Sequence, residues 1–311
     1  MKHIILGAGG AISRVLVKEL LSDNQKIKLV SRHFKVIDGF ESVKADLFNF
    51  DEVNNAVEEF STVYLVAGLT YSIKVWNEQW PKIMRNVVEA CSAKNAKLIF
   101  FDNVYSYGKV NGVMTEGTSI NPSSKKGELR AKLLNYLDEE IRGKNITALV
   151  ARAADFYGSY TEKSSVISIS VLDKLLKGKK AQWFCNAKLK HSFTNTGDCG
   201  KALYLLSKNE SNFNQTWHMP TAHPAKTGEE LIKIAAENLN VKPDYTVLKK
   251  WMFKLIGTFN PLIKELTEML YQFEDDYIFD SSKFEKKFNF TPTSYEQGIE
   301  ESIKSLKRSK E

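Results

Sequence analysis

The first strand of this chain runs straight into a glycine-rich turn that opens a helix. His3–Leu6 is followed by Gly7-Ala-Gly-Gly10-Ala-Ile-Ser13, after which Ile12, Val15, Leu16 and Leu20 recur at helical spacing. A glycine at the turn permits a backbone conformation that a Cβ would oppose. A second lets an anion approach, and the free N–H groups and dipole of the helix N-terminus favour that anion. Where a third glycine normally allows close helix–strand packing, this chain has Ser13. The bland alternative is an ordinary tight βα turn. In strand–loop–helix context, opening a β-α-β series, the turn predicts a dinucleotide diphosphate held by Gly7, Gly9, Gly10, Ala11 and Ile12.

The rhythm that follows supports this. Strands are expected at Ile27–Val30, Val43–Ala45, Val63–Ala67, Lys97–Phe101 and Ile146–Ala151, alternating with helices at Val53–Phe60, Ile73–Lys94 and Leu129–Ile141. Pro81 falls inside the long helix, as a kink or a restart. Repeated β-α-β at this spacing predicts an α/β fold with a doubly wound parallel sheet. After Arg152 helices dominate, with isolated strands between them, so residues 153–311 are expected to form a smaller mixed α/β lobe. Segments around 190–220 are expected to return to the first domain, residues 1–152.

The net charge of +7 raises the question of nucleic acid, but the lysines are scattered among glutamates, and no nucleic-acid partner is expected. Cys91, Cys185 and Cys199 are far apart and form no CxxC, which fits a reducing cytoplasm and argues against a disulfide framework. No HxxxH or HExxH pair occurs, so no metal is expected. A strand begins within three residues of the start, leaving no room for a signal peptide. No apolar run approaches the roughly 20 residues of a membrane span, and no membrane partner is expected.

At the end of the second strand an acidic residue would hold the ribose 2′-hydroxyl of NAD. Ser31 and Arg32 stand there instead, with His33 and Lys35 nearby. A hydroxyl and a guanidinium suit a 2′-phosphate, which favours NADP(H) over NAD(H).

Several further motifs resemble the extended short-chain dehydrogenases/reductases of the NAD-dependent epimerase/dehydratase family. They are Ala45-Asp46-Leu47, Leu65-Val66-Ala67-Gly68, Asn86-Val87-Val88-Glu89-Ala90, Ser106-Tyr107-Gly108, Arg152-Ala-Ala-Asp-Phe-Tyr-Gly158 and the run Phe193 to Ala202. The resemblance covers nearly the whole chain. It implies a Rossmann domain with a C-terminal substrate lobe, Asp46 and Leu47 against the adenine, and Ala67 and Gly68 on the nicotinamide side. Family members commonly dimerise through two packed helices of the first lobe, which leaves a homodimer open.

The chain departs from the family at its catalytic residues. The family carries a serine or threonine five residues before the Gly of the Tyr-Gly pair, then Tyr-x-x-x-Lys on the next helix. Here those positions hold Asn103, Lys126 and Arg130, in the run NPSSKKGELR, and no tyrosine lies between Gly108 and Tyr136. One reading keeps hydride transfer with Lys126 or Tyr105 as proton donor and Asn103 on the substrate oxygen. Positioning alone supplies much of the rate, and a general acid adds about 10²–10⁴-fold. The other reading keeps the cofactor and loses the chemistry, giving a redox sensor or regulator. Asp155 follows the sixth strand at the carboxyl end of the sheet, placed to pair with Lys126, to orient a substrate hydroxyl or only to cap the loop before Tyr157-Gly158. By the resemblance His191 stands where sugar-nucleotide epimerases carry an arginine for the substrate diphosphate, which argues against a UDP- or dTDP-sugar; a strand histidine with a satisfied hydrogen bond explains it equally. Tyr71 and Trp76 are candidate cleft aromatics, though packing explains such residues as well. The expectation is a cytoplasmic NADP(H)-dependent oxidoreductase or epimerase acting on a small carbonyl or hydroxyl substrate.

Overall fold

The structure, a computed structural model, describes residues 2–32 and 40–309; His33 and Lys35 lie outside them. The chain forms two compact units and crosses between them repeatedly. The first unit comprises residues 1–102, 128–152 and 199–217, and the second residues 103–127, 153–198 and 218–311.

The first unit is built on a seven-stranded parallel sheet flanked by helices. Its strands are β1 (Lys2–Leu6), β2 (Lys26–Ser31), β3 (Glu41–Lys44), β4 (Thr62–Leu65), β5 (Lys97–Asn103), β6 (Thr147–Ala153) and β7 (Thr216–His218), in the order β7-β6-β5-β4-β1-β2-β3. The central strands are apolar without alternation because helices cover both faces, and Ile4, Ile5, Leu6, Val63, Tyr64 and Leu65 are fully buried. The order reverses direction at β1 and β4, which pair in parallel. In open α/β sheets ligands bind beside the carboxyl ends of the strands at such a reversal.

The connecting helices are α1 (Ala11–Ser22), α2 (Phe50–Ala56), α3 (Ile73–Ala93), α4 (Lys125–Arg142) and α5 (Thr196–Ser207). Pro81 sits inside α3 without ending it. The helix expected over Val53–Phe60 begins three residues earlier and stops at Ala56. The Asn49 side chain accepts from the amides of Asp51 and Glu52 and so fixes the start, while Phe60 takes a left-handed φ of 54° that no helix continues. Gly200 of α5 packs on α1, where a Cβ would lie 2.8 Å from the Val15 backbone.

His3 lies buried in the sheet with Nδ1 at 2.9 Å from the Tyr64 hydroxyl. Burial pushes its pKa down to about 4, against a smaller opposing contribution from a Gln25 hydrogen bond. A folded value below the unfolded 6.5 means that His3 stays neutral when folded and takes up a proton on unfolding. Its contribution is complete above pH 6.5 and is lost as pH falls towards about 4, up to about 3 kcal/mol. Urea denaturation at stepped pH should show a loss across that window that His3→Gln removes; identical profiles would reject it.

The second unit is assembled from small sheets and helices around Trp183, Phe193, Phe273 and Tyr295. The helix Gly228–Leu239 begins at a capping box between Thr227 and Glu230. Its first residue must be small, because a Cβ on Gly228 would meet the Trp183 ring at 2.3 Å. Residues Ile167–Leu172 wind as a π-helix, which continues as an α-helix over Asp173–Leu176. A helix over Pro261–Thr267 is followed by a 3₁₀ turn at Leu270–Phe273.

Candidate functional site

The glycine turn lies where β1 meets β4. Gly7 has φ +96°, and a Cβ there would sit 2.3 Å from Ala67 Cα. The expected residues Gly7 and Ala67 therefore touch, with Gly68 next in chain. The amides of Gly7 and Ala8 both donate to Val30 O at 3.0 Å, tying the turn to the end of β2 beside Ser31. Ser13, in place of a third glycine, accepts from Gly9 N at 2.9 Å and donates to Gly10 O at 2.8 Å. A buried serine thus closes the turn from within.

Gly9 (φ +104°) is different from Gly7: a Cβ there would meet nothing within 4 Å. Gly9 and Gly10 are exposed, and the first turn of α1, which holds Ala11 and Ile12, has no side-chain cap and no acidic residue. An open cradle over an uncapped helix N-terminus fits a diphosphate. At the neighbouring strand ends, Ser31 is half-buried, Arg32 is exposed, and Ala45 N donates to Ser31 O at 3.2 Å. Asp46 and Leu47 follow β3. The buried Asn86 amide of α3 donates to Leu47 O at 3.0 Å, so two separate motifs hold one loop.

In the second unit Asn103 and Tyr105 are bonded to each other, and Gly127, next in chain to Lys126, packs against Tyr105. Asn103 Oδ1 accepts from Tyr105 N at 3.0 Å and starts a 3₁₀ turn over Tyr105–Tyr107. Gly108 (φ +67°) must be glycine, since a Cβ would lie 2.1 Å from Asn121 O, and Asn121 N donates back to Ser106 O at 3.1 Å. The run from Asn121 is thereby pinned to the Tyr-Gly turn. Gly127 brings the first turn of α4 against Tyr105, whose carbonyl would lie 2.4 Å from an added Cβ.

Lys126 is fully buried between two carboxylates. Its ammonium donates to Glu265 Oε2, to Glu268 Oε1 at 2.6 Å and to the Glu265 carbonyl at 3.2 Å. Three donors meet three acceptors. Arg130, one turn along α4 in the first unit, is held differently. Its guanidinium lies 2.5 Å from Asp102 Oδ1 and packs over Trp80 and Phe100, 4.7 and 4.9 Å from their centroids. Arg152 reaches the other oxygen of Asp102 at 3.3 Å. One buried carboxylate thus faces two buried guanidiniums.

Asp155 and His191 form a pair in the second unit, with Nε2 3.0 Å from Asp155 Oδ2 and Nδ1 3.2 Å from Gln272 O. Both ring nitrogens face acceptors, so both bonds form only when both carry hydrogen. The imidazole stacks on Phe273 at 4.5 Å. Close by, the Tyr271 hydroxyl is buried beside those of Tyr277 and Ser124 without a well-formed hydrogen bond, and burial raises its pKa. Tyr71 belongs to the first unit, edge-on to Trp76 at 5.7 Å. Asp102, Glu265, Glu268 and Gln272 were not legible as site residues from sequence; Asp102, one residue before Asn103, carried the nearest signal. Among the described residues no cluster of metal-binding side chains occurs and no helix is long and apolar enough to cross a membrane.

No curated protein matches the chain by sequence. Its fold is similar to several solved structures over essentially the full length of both chains. A UDP-glucuronic acid 4-epimerase from Bacillus cereus in complex with NAD is 14% identical, with TM-score 0.80 and 100% of each chain covered. A Thermus thermophilus UDP-glucose 4-epimerase in complex with NAD is 17% identical (TM-score 0.79, 99% of each chain). A dTDP-glucose 4,6-dehydratase from Streptomyces venezuelae with NAD bound is 15% identical (TM-score 0.81, 100% of this chain and 98% of that one). The NAD dependent epimerase/dehydratase family model matches residues 3–218. The glycine cradle, the Asn86–Leu47 bond and the pinned Tyr-Gly turn all fall inside that stretch, and the chain belongs to this family of oxidoreductase-type enzymes.

Proposed function

We propose that the protein binds NADP(H) in the Gly7–Ser13 cradle and reduces, oxidises or epimerises a small carbonyl or hydroxyl substrate through a non-standard catalytic centre. The observation that carries this reading is the cradle itself, open at Gly9 and Gly10 above an uncapped helix N-terminus. The nicotinamide, when bound, supplies or takes the hydride. In this reading Asn103 offers its amide to the substrate oxygen, and Tyr105 or Lys126 moves the proton. Arg130 orients rather than titrates, since a guanidinium keeps its proton. Asp155 and His191 hold polar groups of the substrate, and Tyr71 lines the approach. The protein works in the cytoplasm on a small molecule, without nucleic acid.

The preference for NADP(H) rests on Ser31 and Arg32, whereas NAD is the dinucleotide named in the solved neighbours described above. Titration with NADPH and NADH separates the two. Tighter NADPH binding is expected, with most of the difference, about tenfold or more, lost in Arg32→Ala. Equal or tighter NADH binding would remove the Arg32 argument and leave the NAD of the neighbours. Turnover on a carbonyl panel is the second step, with Lys126→Met and Tyr105→Phe identifying the proton donor. A non-catalytic redox sensor is the second reading, favoured by one observation: all three Lys126 donors are already taken. Tight dinucleotide binding without turnover on any substrate would select it.

A further inference from the structure

Residues 249–264 read KKWMFKLIGTFNPLIK, with four lysines and no acidic residue in the run. They fold as a helical hairpin in the second unit, Lys250–Gly257 followed by Pro261–Thr267. The hairpin is closed from within. A Cβ on Gly257 would lie 3.1 Å from Lys264 Cα, so glycine lets the helices approach closely. Asn260 then caps the second helix by accepting from Leu262 N and Ile263 N, and Pro261 takes its first position.

The first helix turns Phe253 and Gly257 inward. That leaves an apolar face pointing out. Trp251 is 65% exposed, Leu255 58%, Leu262 54% and Phe259, in the turn between the helices, 87%. Most exposed large hydrophobic side chains elsewhere in the described residues stand singly, which is ordinary for a soluble surface. Here they gather on one projection, among exposed lysines. Lys250 reaches Glu274 at 2.8 Å and Lys249 donates to the Cys185 carbonyl at 3.4 Å, while Lys249, Lys254 and Lys264 are exposed and form no salt bridge among the described residues.

We propose that this hairpin is a docking surface for an anionic phospholipid bilayer. Aromatic and aliphatic side chains with a ring of lysines, the hairpin's one acid (Glu265) being turned inward to Lys126, match the boundary between lipid headgroups and acyl chains, where lysines meet lipid phosphates. A second copy of the chain would set lysines against lysines. The contact is peripheral; the absence of a spanning run, from which no membrane partner was expected, bears on crossing a bilayer and leaves lying on one untouched.

The test is sedimentation of the full chain with vesicles of phosphatidylcholine alone and of phosphatidylcholine mixed with phosphatidylglycerol. Binding is expected to the mixed vesicles only, weakening as salt rises. Phe259→Asp, and separately Lys249, Lys254 and Lys264 changed together to Gln, should each weaken it roughly tenfold or more. Both sets of side chains are exposed, so unchanged dinucleotide titration and melting would confirm intact variants and keep this test independent of the cofactor reading. No binding to mixed vesicles would overturn the proposal, as would variants that bind like the parent. A concentration-dependent dimer abolished by Phe259→Asp, without vesicle binding, would assign the face to a second copy instead.

Discussion

Asp102→Ala should destabilise the protein more than any other single change on α4 or β5, by about 3–5 kcal/mol. The Asp102 carboxylate is fully buried and faces the guanidiniums of Arg130 and Arg152, each only 3% exposed. Removing it takes the shared carboxylate from two buried guanidiniums, one of which, Arg130, packs over Trp80 and Phe100. Against a typical total of about 5–15 kcal/mol, such a loss is a large share. It should appear as a shifted urea midpoint with little change in slope. Asp102→Asn keeps the shape and an acceptor oxygen but not the charge, and should fall between. If Asp102→Ala left the midpoint in place, the cluster would contribute nothing net, and the role of Arg130 would have to lie outside stability.

The second large effect divides the glycine turn into two jobs. Gly7→Ala places a Cβ 2.3 Å from the Ala67 Cα at a φ of +96°. Neither backbone can yield cheaply, and overpacking together with the left-handed conformation should cost about 3–5 kcal/mol. Gly9→Ala has the same kind of φ, +104°, but open space around the new methyl. Its stability loss should be about 1 kcal/mol, from backbone conformation alone. Its methyl would nevertheless stand where the diphosphate comes in, so dinucleotide binding should weaken by about 100-fold or more while the protein stays folded. Melting curves and fluorescence titrations of the two variants check the split. Wild-type affinity in Gly9→Ala would mean that no diphosphate passes over that residue.

What could be read in the sequence followed from the range of the interactions involved. The β1–turn–α1 cradle is a local arrangement, so the glycines and the helical spacing of Ile12, Val15, Leu16 and Leu20 announce it. The start of α2 was also written locally, in Asn49 and Glu52, whose side chains bond each other, Asn49 also accepting from the helix amides. Hydrophobic spacing pointed later, to Val53, and the cap decided the boundary. The surroundings of Lys126 were out of reach, because its carboxylates come from 139 and 142 residues further along. Nothing in NPSSKKGELR distinguishes a lysine facing solvent from one enclosed by a distant helix. The chain's excursion into the second unit over residues 103–127 was equally silent, since it begins within a strand and ends within a helix.

The projecting hairpin has the outline of a part that an engineer would trim to improve solubility. Glu265 lies in its second helix and Glu268 just after it, and both reach inward to the buried ammonium of Lys126. Excising the hairpin through Glu268 would strip that cation of its two counter-ions as well as removing an apolar face. A shortened chain would therefore need Lys126 replaced by an apolar residue of similar length, such as methionine, before it could fold as the parent does.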